Sequence, residues 1–406
     1  MRSVQLLAAT ALAIALSVTS AAAQKKYDIG ATDTEIKIGQ TVPFSGPASA
    51  YAGIGKTQAA YMKMINDQGG INGRKLNLIQ YDDAYSPPKA VEQVRKLVEG
   101  DEVLFTFQII GTPSNAAVQK YLNARKVPQL LASTGASRFS DPQNAPWTIA
   151  FNPNYQSEGR IYAKYILANH PNAKIGIFYQ NDDLGRDYIA GLKSGLGDKA
   201  ASMIVAEVSY ELTDPTVDSQ IVKLKAASVD LLYDASTPKF AAQAIRKVAD
   251  LDWHPVHILD INASPVSATL KPAGLDISKG IISTNYGKDP ADPQWKDDPG
   301  VKAYFAFMDK YYPEGDKLNT VNTYGYSTAE LLIQVLKQCG DDISSESIIK
   351  QAANLRDVES DMLLPGIKIN TSPTDYYPLE QLQLTRFSGE RYEPLGPVID
   401  GGISKA

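Results

Sequence analysis

From Glu35 onward, strand-like and helix-like segments alternate along the chain. No other feature limits its possible folds so strongly. The strand candidates are "EIKIGQTVP", "KLNLIQYDD", "EVLFTFQII", "VPQLLAS", "TIAFNP", "AKIGIFYQN", "MIVAEVSYE", "VDLLYDAS", "HPVHILDI" and "GIISTNY". Helical stretches lie between most of them, among them 51–67, 87–98, 113–124, 156–169 and 216–227. Near-continuous apolar strands that alternate with helices require parallel sheets covered on both faces, an α/β architecture. At 406 residues the chain is long enough for two such units, each with its own core.

The pattern breaks at three places. "FNPNYQSEG" (151–159) interrupts it in the middle, and "STNYGKDPADPQWKDDPG" (283–300) is polar and proline-rich. After Leu355 the chain changes to short strands, "GIKIN" and "QLQLTRF", joined by "TSPTDYYP".

The N-terminus has the form of a secretory signal. Arg2 precedes an apolar run from Leu6 to Val18, and Ala21 and Ala23 supply the small residues of a cleavage site before Gln24. The run is too short to span a bilayer, and charge resumes at Lys25. Cys339 is the single cysteine and cannot form an internal disulfide. Export without a disulfide fits a bacterial periplasm. A net charge of -5 leaves no basic footprint for nucleic acid, and three histidines are too few for a rich metal or proton-transfer site.

"AYAGIGKTQAA" (50–60) contains the tail of a phosphate-binding loop, but Ala50 stands where that loop needs its first glycine. A periplasm also holds little ATP, so no nucleotide or other cofactor is expected. There is no G-x-S-x-G nucleophile elbow. His254 and His257 form an H-x-x-H near Asp260, which reads as a surface loop and a half-buried strand. The carboxylates of "YDD" (81–83) read as caps for neighbouring backbone. None of these residues forms a catalytic motif.

One pair of loops points to a ligand. In "QIIGTPSNAAVQKYL", Thr112 is a good N-cap and Pro113 suits the first helical position, so free N–H groups and a hydroxyl stand beyond a strand's carboxyl end. Small anions are seated at such places. The next strand ends in "LLASTGAS", adding the hydroxyls of Ser133 and Thr134 and the N–H of Gly135. Ordinary capping and turn chemistry would use the same residues.

"IKIGQTVPFSGPASAYAGIGKTQAAYMKMINDQGGINGRKLNLIQYDDAYSPPKAVEQVRKLV" resembles the opening of the leucine/isoleucine/valine-binding type of periplasmic solute-binding protein for ABC transporters. "NDDLGRDYIAGLK", "TDPTVDSQIVKLKAASVDLLY" and "NTYGYSTAELLIQVL" extend the resemblance over the mature chain. It implies a two-lobed type I periplasmic binding protein fold. Each lobe is a parallel sheet flanked by helices, three crossover strands join the lobes, and the lobes close on ligand at a hinge. The three breaks then divide the chain into a signal peptide (1–23), lobe one (27–150 plus 278–355) and lobe two (151–277 plus 356–400).

The resemblance also implies a site. A ligand carboxylate would be held by Thr112, Ser133, Thr134 and Gly135, with Tyr51 lining the pocket and Tyr286 contributing from the late crossover. Where amino-acid-binding members place an acid and a tyrosine for the ligand ammonium, this chain has Asn262 and Thr237-Pro238. Asp260, two residues away, could substitute for the acid. Tyr85 and Ile110 stand where the first lobe usually has a disulfide. An ammonium buried without an anion is costly. The expected ligand is therefore a small carboxylate with an aromatic or branched apolar body, an aromatic acid ahead of a branched-chain amino acid. The expected partner is the membrane permease of an ABC importer, served by a monomer. A sensing domain of the same fold is the alternative. No kinase, methyl-acceptor or transmembrane segment occurs before Ala406, which sets the expectation at transport.

Overall fold

The computed structural model describes residues 25–402, so the signal peptide expected over 1–23 lies outside the described residues. The strands are β1 (Lys26–Tyr27), β2 (Glu35–Val42), β3 (Lys75–Asp82), β4 (Phe105–Phe107), β5 (Gln129–Ala132), β6 (Thr148–Ala150) and β7 (Ile175–Gln180). They continue with β8 (Ile204–Tyr210), β9 (Leu231–Ala235), β10 (Val256–Leu259), β11 (Ile282–Asn285), β12 (Asp342–Ile343), β13 (Gln381–Phe387) and β14 (Tyr392–Asp400).

Two main sheets form. The first has the order β3-β2-β4-β5-β6 and is parallel throughout. The second has the order β14-β13-β11-β10-β9-β7-β8, parallel except where β13 joins β11 and β14. Burial explains the run-like sequence of the inner strands. Every residue of β9 is buried, because helices cover both faces, whereas the edge strand β8 alternates half-buried and exposed positions over most of its length.

Each sheet has its own core. Ile36, Ile38, Phe105, Phe107 and Leu130 of the first sheet pack with the Thr320–Cys339 helix through Leu332 and Leu336. Ile177, Leu231, Tyr233 and Ile258 of the second pack with the Tyr155–Asn169 and Asp183–Leu196 helices through Ile161, Tyr162, Tyr188 and Leu192. The result is a two-lobed α/β fold, each lobe a mainly parallel sheet flanked by helices.

The second and third crossings fall later in the chain than the sequence breaks suggested. Ile282–Asn285, which the sequence division gave to lobe one, is hydrogen-bonded between β10 and β13 in the second sheet. The chain returns to the first lobe only after Asn285. Met362, Leu363, Ile367, Ile369, Tyr376 and Leu379, which that division gave to lobe two, are buried in the first core. In both places an apolar segment runs on in the lobe it is leaving before it crosses. "GIKIN" forms no strand beyond a single bridge between Val358 and Ile369.

The glycine-lysine-threonine stretch is plain helix. Gly55 is buried inside the Ala52–Asp67 helix and Lys56 is exposed on it.

Candidate functional site

The carboxyl ends of β4 and β5 point toward the second lobe, and the loops that follow them form one wall of a cavity of about 490 Å³. The other wall comes from the ends of β9 and β10, and residues 284–289 of the late crossover close one side. Tyr51, Tyr85, Ile110, Phe151, Tyr155 and Tyr324 supply much of the apolar lining.

The loop after β4 turns through Gly111, whose φ of +98° only glycine adopts readily. Gly111, not Thr112, is the N-cap, so the Thr112–Arg125 helix begins one residue earlier than the sequence suggested. Thr112 makes no capping bond with its side chain. Its hydroxyl lies 2.8 Å from that of Thr134, and Thr134 Oγ1 also accepts the Ala136 N–H at 3.2 Å.

Of the four residues expected to hold a carboxylate, Thr112 and Ser133 line the cavity. Thr134 and Gly135 lie behind them. Thr134 is fully buried, and the Tyr155 ring and the Pro153 carbonyl pack onto Gly135. The structure thus assembles all four in one cluster and presents two of them to the cavity.

Ser133 starts a chain of polar contacts from lobe to lobe. The Tyr324 hydroxyl bridges Ser133 Oγ at 3.0 Å and Asn152 Oδ1 at 2.6 Å. Asn152 Nδ2 donates to Asn262 Oδ1 at 2.9 Å. Asn262 Nδ2 then donates to Asp260 Oδ1 at 2.9 Å and to the Tyr188 hydroxyl at 3.1 Å, which itself donates to Glu158 at 2.6 Å. Tyr51 crosses separately, donating to the Asn262 carbonyl at 3.0 Å.

Asp260 does not face the cavity. It is 2% exposed, one oxygen accepts the Asn262 N–H and side-chain amide, and the other accepts the Ser236 N–H. Burial pushes its carboxyl well above the usual range, and the Glu158 and Asp234 carboxylates add to the effect. Glu158 is also raised by burial, although four donors surround it: the hydroxyls of Tyr188, Tyr162 and Thr284 and the Ile261 N–H.

Thr237 and Tyr286 both line the cavity. Thr237 is the N-cap residue of the Pro238–Asp250 helix, and its hydroxyl lies 3.2 Å from that of Tyr210. His254 pairs with Asp252 on the surface, while His257 faces Asp234 inside the second lobe. Among the described residues no cluster of His, Cys, Asp and Glu could hold a metal ion, and no helix is long and apolar enough to cross a membrane.

Sequence reasoning missed Asn152, Tyr155 and Tyr324 as site residues, and saw Tyr85 only as an absent cysteine. The first two lie in the break "FNPNY", whose density of asparagine and tyrosine is the one local signal for them.

Comparison with known proteins agrees with this architecture. A family model described as "Periplasmic binding protein" matches residues 35–390. Leu/Ile/Val-binding protein homolog 1 of Brucella abortus is 25% identical over 323 residues, 78% of this chain and 82% of that protein. A fatty acid ABC transporter substrate-binding protein from Thermomonospora curvata superposes with a TM-score of 0.79 at 19% identity, covering 93% of this chain and 95% of its own. A branched chain amino acid ABC transporter protein from Thermus thermophilus with bound valine gives 0.79 at 16% identity, covering 91% and 97%.

Proposed function

Because the chain belongs to the periplasmic binding protein family, we propose that it captures a small carboxylate with an aromatic or branched apolar body between its lobes and delivers it to the permease of an ABC importer. Binding, not catalysis, is the role of the relatives by name. On this reading Thr112 and Ser133 donate to the ligand carboxylate, while Thr134 and Gly135 hold them in place. Tyr51, Thr237, Asn262 and Tyr286 complete the walls.

One observation carries the preference for an aromatic acid. Asp260, the acid nearest the ammonium position, is buried behind Asn262 with both oxygens occupied. An α-amino acid would bring its ammonium against an amide that can hydrogen-bond it but not neutralise it, and a buried charge without a counter-ion is unfavourable. A neutral aryl or branched body suits the apolar lining better.

A branched-chain amino acid is the second reading. Glu158 and Asp260 favour it, because Asn262 donates directly to Asp260 and, through the Tyr188 hydroxyl, is linked to Glu158, so two acids stand behind the place an ammonium would take. The bound valine of the Thermus structure points the same way. Calorimetry with leucine, valine, phenylalanine, benzoate and 4-hydroxybenzoate separates the two. Benzoate or 4-hydroxybenzoate should bind more tightly than leucine. Tight leucine binding that is lost in Asp260→Asn would overturn the preference and give Asp260 the ammonium role.

A further inference from the structure

The two loops that form the first-lobe wall share an arrangement: each has a glycine with a tyrosine ring laid against it. At Gly111, the position a Cβ would take is 2.0 Å from Cε2 of Tyr85, 2.8 Å from its Cζ and 2.9 Å from its hydroxyl oxygen. At Gly135, the corresponding position is 2.7 Å from both Cδ1 and Cε1 of Tyr155. Any larger residue at either glycine would displace the ring.

The backbone of Tyr85 and the ring of Tyr155 are held from behind. Tyr85 sits at φ +58°, a strained setting for a bulky residue, with its N–H held by Asp83 Oδ1 at 2.9 Å. Tyr155 donates its N–H to the Gly135 carbonyl at 3.0 Å and stacks on Tyr188 with centroids 4.6 Å apart and planes 20° apart. Each is almost wholly buried, yet each lines the cavity. The loops therefore show the cavity the hydroxyls of Thr112 and Ser133, flanked by the carbons of two rigid rings.

We propose that Tyr85 and Tyr155 are the specificity-determining residues of this site, and that they select a carboxylate carried directly on a flat aromatic ring over one carried on a puckered or flexible hydrocarbon. This rests on the reading of the cavity as a carboxylate site. The physical basis is that an aryl ligand meets both tyrosines edge to face or offset-stacked, which favours it beyond the area it buries. A saturated ring of similar size gains the area alone and is thicker. Holding the tyrosines rigidly before the ligand arrives removes an ordering cost that a mobile wall would incur.

Benzoate and cyclohexanecarboxylate have the same head group and similar bulk, so their affinity ratio isolates ring flatness. Calorimetry on the mature protein should show benzoate binding at least about tenfold more tightly. Tyr85→Leu and Tyr155→Leu should each bring the ratio toward one, which a merely structural role would not do, since that would weaken both acids alike. A wild-type ratio near one, or an unchanged ratio in both variants, overturns the inference while leaving the carboxylate site standing. If wild type binds leucine or valine but neither of these acids, the inference fails and the carboxylate site stands; if it binds none of the four, the reading of the cavity fails as well. A test on wild type alone covers variants that do not fold. Affinity should fall in the order benzoate, 1-cyclohexenecarboxylate, cyclohexanecarboxylate, and a flat or reversed order overturns the inference.

Discussion

The Tyr51 hydroxyl in the first lobe donates to the Asn262 carbonyl in the second at 3.0 Å, so a cavity-lining side chain also joins the two lobes directly. It can form only while the lobes are in contact, and each lobe's core lies elsewhere. Tyr51→Phe should therefore weaken ligand binding by roughly two- to tenfold, the net worth of one neutral hydrogen bond. Calorimetry with the best-binding acid reads the loss, and the melting temperature of the ligand-free protein should stay close to wild type.

Ser133→Ala and Thr134→Ala should separate binding from scaffolding, although the two residues are adjacent. Ser133 faces the cavity, so losing its charge-assisted bond to a carboxylate should cost about 1.5–3 kcal/mol, tenfold or more in affinity. Thr134 is buried and supports Thr112 and the Ala136 N–H, so its loss should appear as roughly 1–3 kcal/mol of stability, read by urea unfolding. Equal effects of both on affinity at unchanged stability would place Thr134 at the ligand.

Tyr324 and Asn262 belong to one polar relay joined through Asn152. Removing either end should release Asn152, so Tyr324→Phe and Asn262→Ala should be non-additive. A coupling of about 0.5–3 kcal/mol in a double-mutant cycle is the expected scale. Simple additivity would mean the relay does not act as a unit.

Asp182 caps the Asp183–Leu196 helix through the Leu184 N–H at 2.9 Å and accepts from Gln180 at 2.6 Å. Burial pushes its carboxyl up to about 6, while the bonds from Gln180 and Leu184 oppose the shift. Because the folded-state value is raised, the associated stability is complete below about pH 4 and is lost as pH rises through about 6, roughly 3 kcal/mol in all. Asp182→Asn keeps the cap and removes the charge. It should stabilise the protein relative to wild type at pH 7 and change little at pH 4, as measured by urea unfolding at both values. A variant that is no better at pH 7 would show that the bonds to the carboxylate outweigh its burial.

Most strands were legible because burial on both faces leaves long apolar runs in the sequence. β14 was not. Pro394, Gly396 and Pro397 break its pattern, yet they are tolerated because it forms the outer edge of its sheet, where a missing N–H costs little. "GIKIN" failed in the opposite direction, since alternation alone does not supply a neighbouring strand. The identity of β11 could be read, but not the sheet it joins, which depends on residues a hundred positions later.

The site divides along the same line. That Thr112, Ser133 and Thr134 lie at neighbouring loop ends was legible because turns and helix starts are local chemistry, although the cap is Gly111. The placing of Tyr85 on Gly111 and of Tyr155 on Gly135 is tertiary, and nothing in the spacing encodes it. Whether Asp260 faces the cavity was also undecidable from strand alternation, because the residues that occupy it, Ser236 and Asn262, sit in turns beyond the strand ends.

Ala136 and Phe139, which precede the first crossing, are buried in the second lobe's core beside Tyr155, Ile161 and Tyr162. The second lobe is therefore not a self-sufficient module. A truncated gene encoding only the residues after the crossing would leave a hole the size of a phenyl ring in its product, and the excised first half would carry that ring into water. Swapping whole lobes between relatives would meet the same obstacle, so a chimera that keeps its cores intact must exchange the 136–140 segment together with the second lobe.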